Sequence, residues 1–218
     1  MKTSIAITAV LVLSTLGTRA QGWIDFNIRV SGTVVGHVYG FEPTSLTNFY
    51  PYIVYELKRG NTAAETPAGT QVYYGPKLTG SGFSAALWSA PGAGAPEWSL
   101  VLVPGSLTTF RTGATLGGTP APLVLAVPNV AIHATGTFQV RAWDNSTGAS
   151  WGAALTRGQS DLFEVANLGD GLLDFPAEMV NFRSFNFGDV FIPKPTTTTV
   201  LGLGALGLWF FRRKKHAR

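Results

Sequence analysis

The chain has 218 residues, no cysteine and a formal net charge of +4. Without cysteine, a disulfide framework, a thiolate nucleophile and a cysteine metal site are all excluded. Seven of the 16 Lys and Arg residues, but none of the 12 Asp and Glu residues, lie in the two ends of the chain. Residues 21–195 therefore hold nine cations against twelve acids, a net charge of −3, which disfavours a basic surface for binding nucleic acid.

The first twenty residues predict a secretory signal peptide. Lys2 supplies a small basic start, Ile5–Leu16 is apolar, and Thr18–Arg19–Ala20 ends in a small residue. This order of features is typical of a cleaved export signal. An uncleaved N-terminal anchor is the alternative, and the short apolar stretch disfavours it. We therefore assign residues 1–20 to the signal.

Residues 21–192 are expected to form one exported domain, and its first strand has the clearest pattern. From Trp23 to Val30, apolar side chains alternate with Asp25, Asn27 and Arg29. A period of two is typical of a strand with one buried face. Thr33–Tyr39 follows after a Ser-Gly pair, so the two segments are predicted to form a hairpin.

Further strands are predicted at nearly regular intervals, separated by glycine- and proline-containing turns. Only residues 149–155 and 176–179 have a composition that suits one or two helical turns. The pattern predicts an all-β fold, an antiparallel β-sandwich of the jelly-roll or Ig-like type. The further predicted strands are Tyr52–Lys58, Thr70–Tyr74, Phe83–Trp88, Trp98–Val103, Leu107–Arg111, Leu123–Val127, Thr137–Trp143, Asp161–Val165, Val180–Phe187 and Asp189–Ile192.

The C-terminal end has three parts in order. Pro193, Lys194 and Pro195 precede an apolar segment, residues 196–211, which begins with four threonines. Its sixteen residues fall just short of the roughly 17 to 25 that span a bilayer core. Lys and Arg residues at one end of a membrane helix favour an orientation in which that end lies on the cytoplasmic side. The sequence therefore predicts a single transmembrane helix whose basic tail, residues 212–218, contains the stop formed by Arg212, Arg213, Lys214 and Lys215.

The proline-containing tripeptide, the short apolar segment and the basic end together resemble the sorting signal of PEP-CTERM proteins, as found in Verrucomicrobia. These are exported bacterial proteins whose tails are processed by a membrane protease called exosortase. One position departs from the family pattern, because Lys194 stands where the family has glutamate. Pro-Lys-Pro thus replaces Pro-Glu-Pro and reverses the charge beside the expected cleavage point. A plain C-terminal anchor that no protease cleaves is the alternative.

Shorter blocks within the exported part are similar to the same family. The resemblance implies an exosortase-type protease as partner, residence in the inner membrane, and display on the cell surface or release into extracellular polysaccharide. It implies no catalytic residue and no cofactor. The blocks are Asp25–Val30, Gly60–Thr70, Thr109–Gly113, Val140–Asn145 and Ser184–Phe187.

Serine and histidine give weak signals for catalysis. Gly158–Gln159–Ser160 lacks the second glycine and the helix of a hydrolase nucleophile elbow. His37 and His133 each stand alone among apolar and small residues, which indicates strand-facing side chains. Two isolated histidines without nearby carboxylates make a poor zinc site. We therefore predict neither a serine hydrolase nor a metal centre.

The carboxylates that lie close together in sequence are Asp161 with Glu164 and Asp170 with Asp174. Glycoside hydrolysis needs two carboxylates that flank one bond, but both of these pairs lie in turn-like segments. Oxygen ligands beside glycines around Asp170 superficially suit calcium, but their spacing departs from the known binding loop. Solvated turns are the favoured interpretation, and the protein is predicted to be non-enzymatic.

Aromatic residues are abundant, and flat rings on one face of a sheet can stack against the apolar faces of sugars. Tyr73 and Tyr74 are neighbours on a predicted strand, so one of them is expected to point outward. They are the predicted glycan contacts. Two functions therefore compete: a non-enzymatic surface or matrix protein, which we favour, and a carbohydrate-binding or weakly glycan-active β-sandwich module.

Overall fold

The structure, a computed structural model, describes residues 21–42 and 57–190. The predicted signal peptide, the Pro193–Lys194–Pro195 motif, the apolar segment and the basic tail lie outside the described residues. Within the two described ranges, no helix is long and apolar enough to cross a membrane. The only helical element in those ranges is a 3-10 turn at Glu97–Ser99, and all other regular structure is strand. The prediction of an all-β fold is confirmed.

The strands of the described residues vary from two to nine residues in length. They are β1 (Gln21–Phe26), β2 (Arg29–Val30), β3 (Val34–Val35), β4 (Val38–Tyr39), β5 (Phe83–Pro91), β6 (Val101–Leu102), β7 (Thr108–Thr109), β8 (Leu123–Ala131), β9 (Gly136–Asp144), β10 (Thr156–Gln159), β11 (Phe163–Val165), β12 (Ala177–Glu178), β13 (Phe185–Asn186) and β14 (Asp189–Val190).

The largest sheet has seven strands, and all of its pairs are antiparallel. Its path runs β14, β10, β9, β5, β6, while β11 also pairs with β9 and β7 with β5. A second sheet has the order β12, β1, β8, in which β1 is antiparallel to β8 and parallel to β12. Two small sheets are the antiparallel pair β2–β3 and the parallel pair β4–β13. The antiparallel prediction therefore holds throughout the seven-stranded sheet, and the parallel pairs β1–β12 and β4–β13 depart from it.

The main core is shared by side chains from the two larger sheets. Ile24 and Phe26 of β1 lie in one cluster with Leu87 of β5 and Phe138 of β9. These side chains are buried because alternate residues of each strand face the same side, and that side carries the apolar residues. Burial of an apolar side chain of this size contributes about 1.5–3 kcal/mol to folding.

Several local predictions differ from the structure. The predicted strand Trp23–Val30 is interrupted after Phe26, and only β2 and β3 form the predicted hairpin, with Val30 opposite Val34. β1 pairs instead with β8 and β12. Residues 149–153 form turns, whereas 177–178, expected to be helical, are strand β12. The polar strand β10 lies where no strand was predicted.

Candidate functional site

The outer face of the largest sheet carries a group of aromatic and polar side chains. Residues that pair across antiparallel strands lie on the same face of the sheet. Trp88 of β5 pairs with Gln139 of β9 and with Leu102 of β6. Arg141 of β9 pairs with Gln159 of β10. The opposite face of these strands belongs to the main core, so this set points away from it.

Arg141 contacts two indole rings that are tilted to each other by 59°. Its guanidinium carbon lies 4.8 Å from the ring centroid of Trp88 and 4.4 Å from that of Trp151. Arg157 covers Trp151 at 4.2 Å. Burial lowers the pKa of the Arg141 guanidinium, the charge of Glu97 opposes this shift, and the charge of Arg157 adds to it. Stacked cation and ring contacts of this kind hold the side chains in fixed positions.

A polar network surrounds this stack. The Nε of Arg141 donates to Oε1 of Gln139 at 2.7 Å, and its Nη2 lies 3.6 Å from Oε1 of Glu97. The Nε2 of Gln159 donates to the same Glu97 oxygen at 2.8 Å. Next to Glu97, on the 3-10 turn, the side chain of Trp98 is 87% exposed. We call Trp88, Glu97, Trp98, Gln139, Arg141, Trp151, Arg157 and Gln159 the tryptophan–arginine face.

The tryptophan–arginine face offers contacts for binding. Trp98 presents an open indole ring on the same 3-10 turn as Glu97, whose carboxylate contacts the Arg141 guanidinium and the Gln159 amide. Among the described residues, the indole nitrogens of Trp143 and Trp151 are buried without an acceptor. A rigid apolar ring beside oriented donors and acceptors suits a ligand that has an apolar face and hydroxyl groups.

Tyr73 is half-buried and Tyr74 is exposed, and residues 70–74 are not a strand. The ring of Tyr73 stacks on Tyr39 at 4.0 Å, and its hydroxyl lies 2.8 Å from the carbonyl oxygen of Gly60 and 2.9 Å from that of Ser184. Tyr73 also lines a shallow pocket of about 330 Å³. Tyr74 is 72% exposed, with Nζ of Lys58 at 5.0 Å from its ring centroid. A glycan contact at these tyrosines stays a prediction.

His37 is not isolated, contrary to the expectation from sequence. Its Nδ1 lies 2.7 Å from Oε1 of Glu65, and its Nε2 lies 3.0 Å from Nζ of Lys77. Both His37 and Glu65 are buried. Their separation of 28 residues hides the pair from any local motif. The three side chains form a chain of carboxylate, imidazole and amine inside the domain.

Glu65 is held as a carboxylate by several donors. The backbone N–H of Thr62 donates to Oε2 at 2.6 Å, and the hydroxyl of Tyr39 donates to Oε1 at 3.1 Å. Burial raises the pKa of Glu65, but hydrogen bonds from His37, Thr62 and Ser184 outweigh burial and hold that pKa below its ordinary value. Buried charges persist only when paired and hydrogen-bonded in this way. The arrangement therefore fixes the loop of residues 61–75 to β4.

The other residues considered for catalysis have structural partners. Ser160 is buried, and its hydroxyl donates to the carbonyl of Asp161 at 2.7 Å. Asp161 itself lies 3.5 Å from Arg59. His133 is exposed and lies 3.5 Å from Asp174. No group of three or more His, Cys, Asp or Glu side chains that could hold a metal occurs within residues 21–42 and 57–190.

Asp170 shapes an exposed loop. Its Oδ1 accepts backbone hydrogen bonds from Leu172, Leu173 and Asp174 at 2.7, 2.8 and 2.9 Å. These hydrogen bonds lower the pKa of Asp170. The loop presents Leu172, Leu173 and Phe175, each at least 90% exposed. Asp170 therefore acts as a local cap for a turn, in agreement with the interpretation favoured from sequence.

No protein-family model matches the chain, and no curated protein or solved structure is significantly similar to it.

Proposed function

We propose that this chain is an exported, non-enzymatic protein of the cell surface or extracellular matrix that binds polysaccharide. The export part is supported by the order of features at the two ends of the sequence, residues 1–20 and 193–218. In this proposal residues 196–211 anchor the chain in the inner membrane, and an exosortase-type protease processes it near Pro193–Lys194–Pro195. The domain then stays on the surface or enters the extracellular polysaccharide.

We further propose that the domain is a β-sandwich of the jelly-roll or Ig-like type. Its two layers are the seven-stranded sheet and the sheet of β12, β1 and β8. The proposal is supported by the main core, to which β1 and β8 contribute together with β5 and β9. On the other face of the seven-stranded sheet, Trp88 and Arg141 are partly accessible, whereas Ala86, Gln139 and Trp143 are buried.

The observation that carries the binding proposal is the exposed ring of Trp98 on the turn that also carries Glu97, the carboxylate that contacts Arg141 and Gln159. A sugar ring has an apolar face that an indole can cover and hydroxyl groups that need donors and acceptors. Glu97 and Gln159 supply these groups within one hydrogen-bonded network. Because the network and the stack are already formed, little side-chain ordering is required on binding.

Replacing Trp98 with alanine is expected to weaken polysaccharide binding about ten-fold, because a stacking contact and its apolar area are lost. The full chain, solubilised in detergent, is screened on a glycan array, and affinities for the best ligand are then measured by calorimetry. Trp98→Phe keeps a smaller ring and should show an intermediate affinity. In the same assay, Tyr74→Ala tests the contact predicted from sequence without removing the hydrogen bonds of Tyr73.

Phe175→Ala is the matched control, since Phe175 is as exposed as Trp98 but belongs to the Asp170 loop. This variant should bind like the unmodified chain. Equal losses in Trp98→Ala and Phe175→Ala would show general adhesion by exposed rings. If the unmodified chain binds no glycan on the array, the polysaccharide proposal is wrong, and the export proposal is unaffected.

Restoring the family motif is expected to change processing of the tail. In a bacterium that has an exosortase, Lys194→Glu should increase the fraction of chains that lose the basic end, since it restores the family's acid beside the cleavage point. Mass spectrometry of the mature protein measures the fraction that still ends at Arg218. If all chains of both proteins keep Arg218, the tail is a permanent anchor and the cleavage proposal fails.

A further inference from the structure

Lys77 and Arg111, which lie outside the tryptophan–arginine face, are joined through one turn. The carbonyl of Thr119 accepts the backbone N–H of Arg111 at 2.9 Å, and the Thr119 hydroxyl accepts from Nε of Arg111 at 3.0 Å. One residue earlier, the N–H of Gly118 donates to the carbonyl of Leu78. Both cations are half-buried. The turn therefore brings the segment of Lys77 and the segment of Arg111 together.

Gly118 is required by this arrangement. Its φ is +79°, a conformation that side chains with a Cβ rarely adopt. A Cβ added there would lie 3.0 Å from Cβ of His37, and one added at Gly117 would lie 3.7 Å from Cβ of Lys77. The turn thus packs directly against His37 and Lys77, the last two members of the buried chain from Glu65.

Arg29 of β2 is a third positive charge, close enough to act electrostatically on both of these cations. Burial lowers the pKa of Arg111, and the nearby charge of Arg29 lowers it further. Burial also lowers the pKa of Lys77, where Glu65 opposes the shift and Arg29 adds to it. Like charges held together in a partly desolvated place repel one another more strongly than they would in water.

Within residues 21–42 and 57–190, no carboxylate forms a salt bridge with Arg29, Lys77 or Arg111. The acid nearest to Lys77 in this network is Glu65, which already binds His37, Tyr39 and the Thr62 amide. The imidazole of His37 stands between that acid and Lys77. In this part of the chain, one carboxylate that is engaged elsewhere therefore faces three cations.

The guanidinium of Arg111 also has an unused donor. Its Nη2 is buried and has no acceptor in residues 21–42 or 57–190. A buried charged donor without a partner costs more than a neutral one, because the lost hydration of the charge is not replaced. An anion placed beside Arg111 would satisfy this donor and reduce the repulsion among the three cations.

We propose that Arg29, Lys77 and Arg111 form a binding site for a single oxyanion, such as a sulfate, phosphate or carboxylate group. Arg111 Nη2 and the Lys77 ammonium are the donors that contact its oxygens, and Arg29 supplies additional positive charge. The Gly117–Gly118 turn forms one wall of the site. The oxyanion comes either from a free inorganic ion or from an acidic substituent of a polysaccharide.

Calorimetric titration of the full chain in detergent tests the site, with ionic strength held constant by chloride. Sulfate and phosphate should bind saturably, and Arg111→Gln should weaken binding at least ten-fold, as expected for loss of about one charge-assisted hydrogen bond. Arg29→Gln should also weaken binding. Among the described residues the Arg29 side chain makes no hydrogen bond or ion pair, so this variant decides the test if Arg111→Gln does not fold. Arg183→Gln, a half-buried arginine elsewhere, is the control and should bind normally.

Two further ligands distinguish the sources of the oxyanion. Binding of glucuronate, but not of glucose, assigns the site to acidic polysaccharide, whereas binding of sulfate and phosphate alone assigns it to free inorganic ions. Trp98→Ala should leave anion binding unchanged, so the polysaccharide proposal and the oxyanion proposal are tested independently. The proposal is overturned if none of the anions binds saturably, or if Arg111→Gln and Arg29→Gln bind as well as the unmodified chain, as they would with general salt exclusion.

Discussion

Replacing Glu65 with alanine is expected to lower the free energy of unfolding by about 3 kcal/mol, because each buried donor left without its acceptor costs about 1–3 kcal/mol. The change would leave the Thr62 amide, the Tyr39 hydroxyl and the His37 ring without their acceptor. Urea unfolding followed by tryptophan fluorescence measures the loss. Glu65→Gln keeps an acceptor oxygen and should cost less. If Glu65→Ala is within about 0.5 kcal/mol of the unmodified chain, the network does not hold the loop.

The same carboxylate predicts the sign of a pH effect. The pKa of Glu65 is lowered in the folded domain from an ordinary value of 4.5. Its contribution to stability is therefore complete above about pH 4.5 and is lost as the pH falls through the lower folded value. Glu65→Gln should show a weaker fall of stability in acid than the unmodified chain. Equal slopes in the two proteins would contradict the assignment.

Replacing Phe138 with alanine is expected to cost about 3–5 kcal/mol of unfolding free energy through lost burial and a cavity. Phe138 is fully buried in β9, stacks on Phe163 with centroids 6.2 Å apart, and contacts Gly136 closely. Because β9 pairs with β5, β10 and β11, a cavity there affects the centre of the largest sheet. Urea unfolding measures the change.

Val124→Ala serves as the matched control for the core. Val124 lies on strand β8 and is 57% exposed, so its truncation should change the unfolding free energy by no more than about 0.5 kcal/mol. A large loss in Val124→Ala together with a small one in Phe138→Ala would mean that the buried side of the sheet has been assigned to the wrong face.

The parts of the fold that follow from sequence are those with a local pattern. Alternation at Ile24, Phe26 and Ile28 predicted a buried face, and all three side chains are buried. This works because a half-buried strand needs only period-two spacing of apolar residues. Strand β10 has the sequence Thr-Arg-Gly-Gln and no such pattern, so its pairing with β9 and β14 came from the surrounding sheet and could not be predicted.

Residues 70–74 show how long-range contacts override strand propensity. Val72, Tyr73 and Tyr74 favour a strand. Their segment is instead held by other partners, since the amide of Gln71 donates to the carbonyl of Asn61 and the amide of Tyr74 donates to the Glu42 carboxylate. Hydrogen bonds that a side chain supplies to the backbone replace those of a neighbouring strand. Nothing in the local sequence indicates that choice.

The sequence indicated that aromatic side chains are abundant, but it did not indicate where on the fold they come together. The number of tryptophans and tyrosines indicated an aromatic binding surface, yet the tyrosines chosen from sequence lie outside the contacts that define the tryptophan–arginine face. Its position depends on the register that sets Ala86 opposite Arg141 and Trp88 opposite Gln139. More than fifty residues separate those partners, and no local signal specifies the register.

The exposed apolar residues of the Asp170 loop should affect the solubility of the protein without affecting the stability of its fold. Its shape comes from backbone hydrogen bonds to one carboxylate, so Leu172, Leu173 and Phe175 contribute almost nothing to holding the domain together. Serine at all three positions would leave the melting temperature nearly unchanged. The concentration at which the protein begins to aggregate would rise, because three exposed apolar side chains in one loop favour association between molecules.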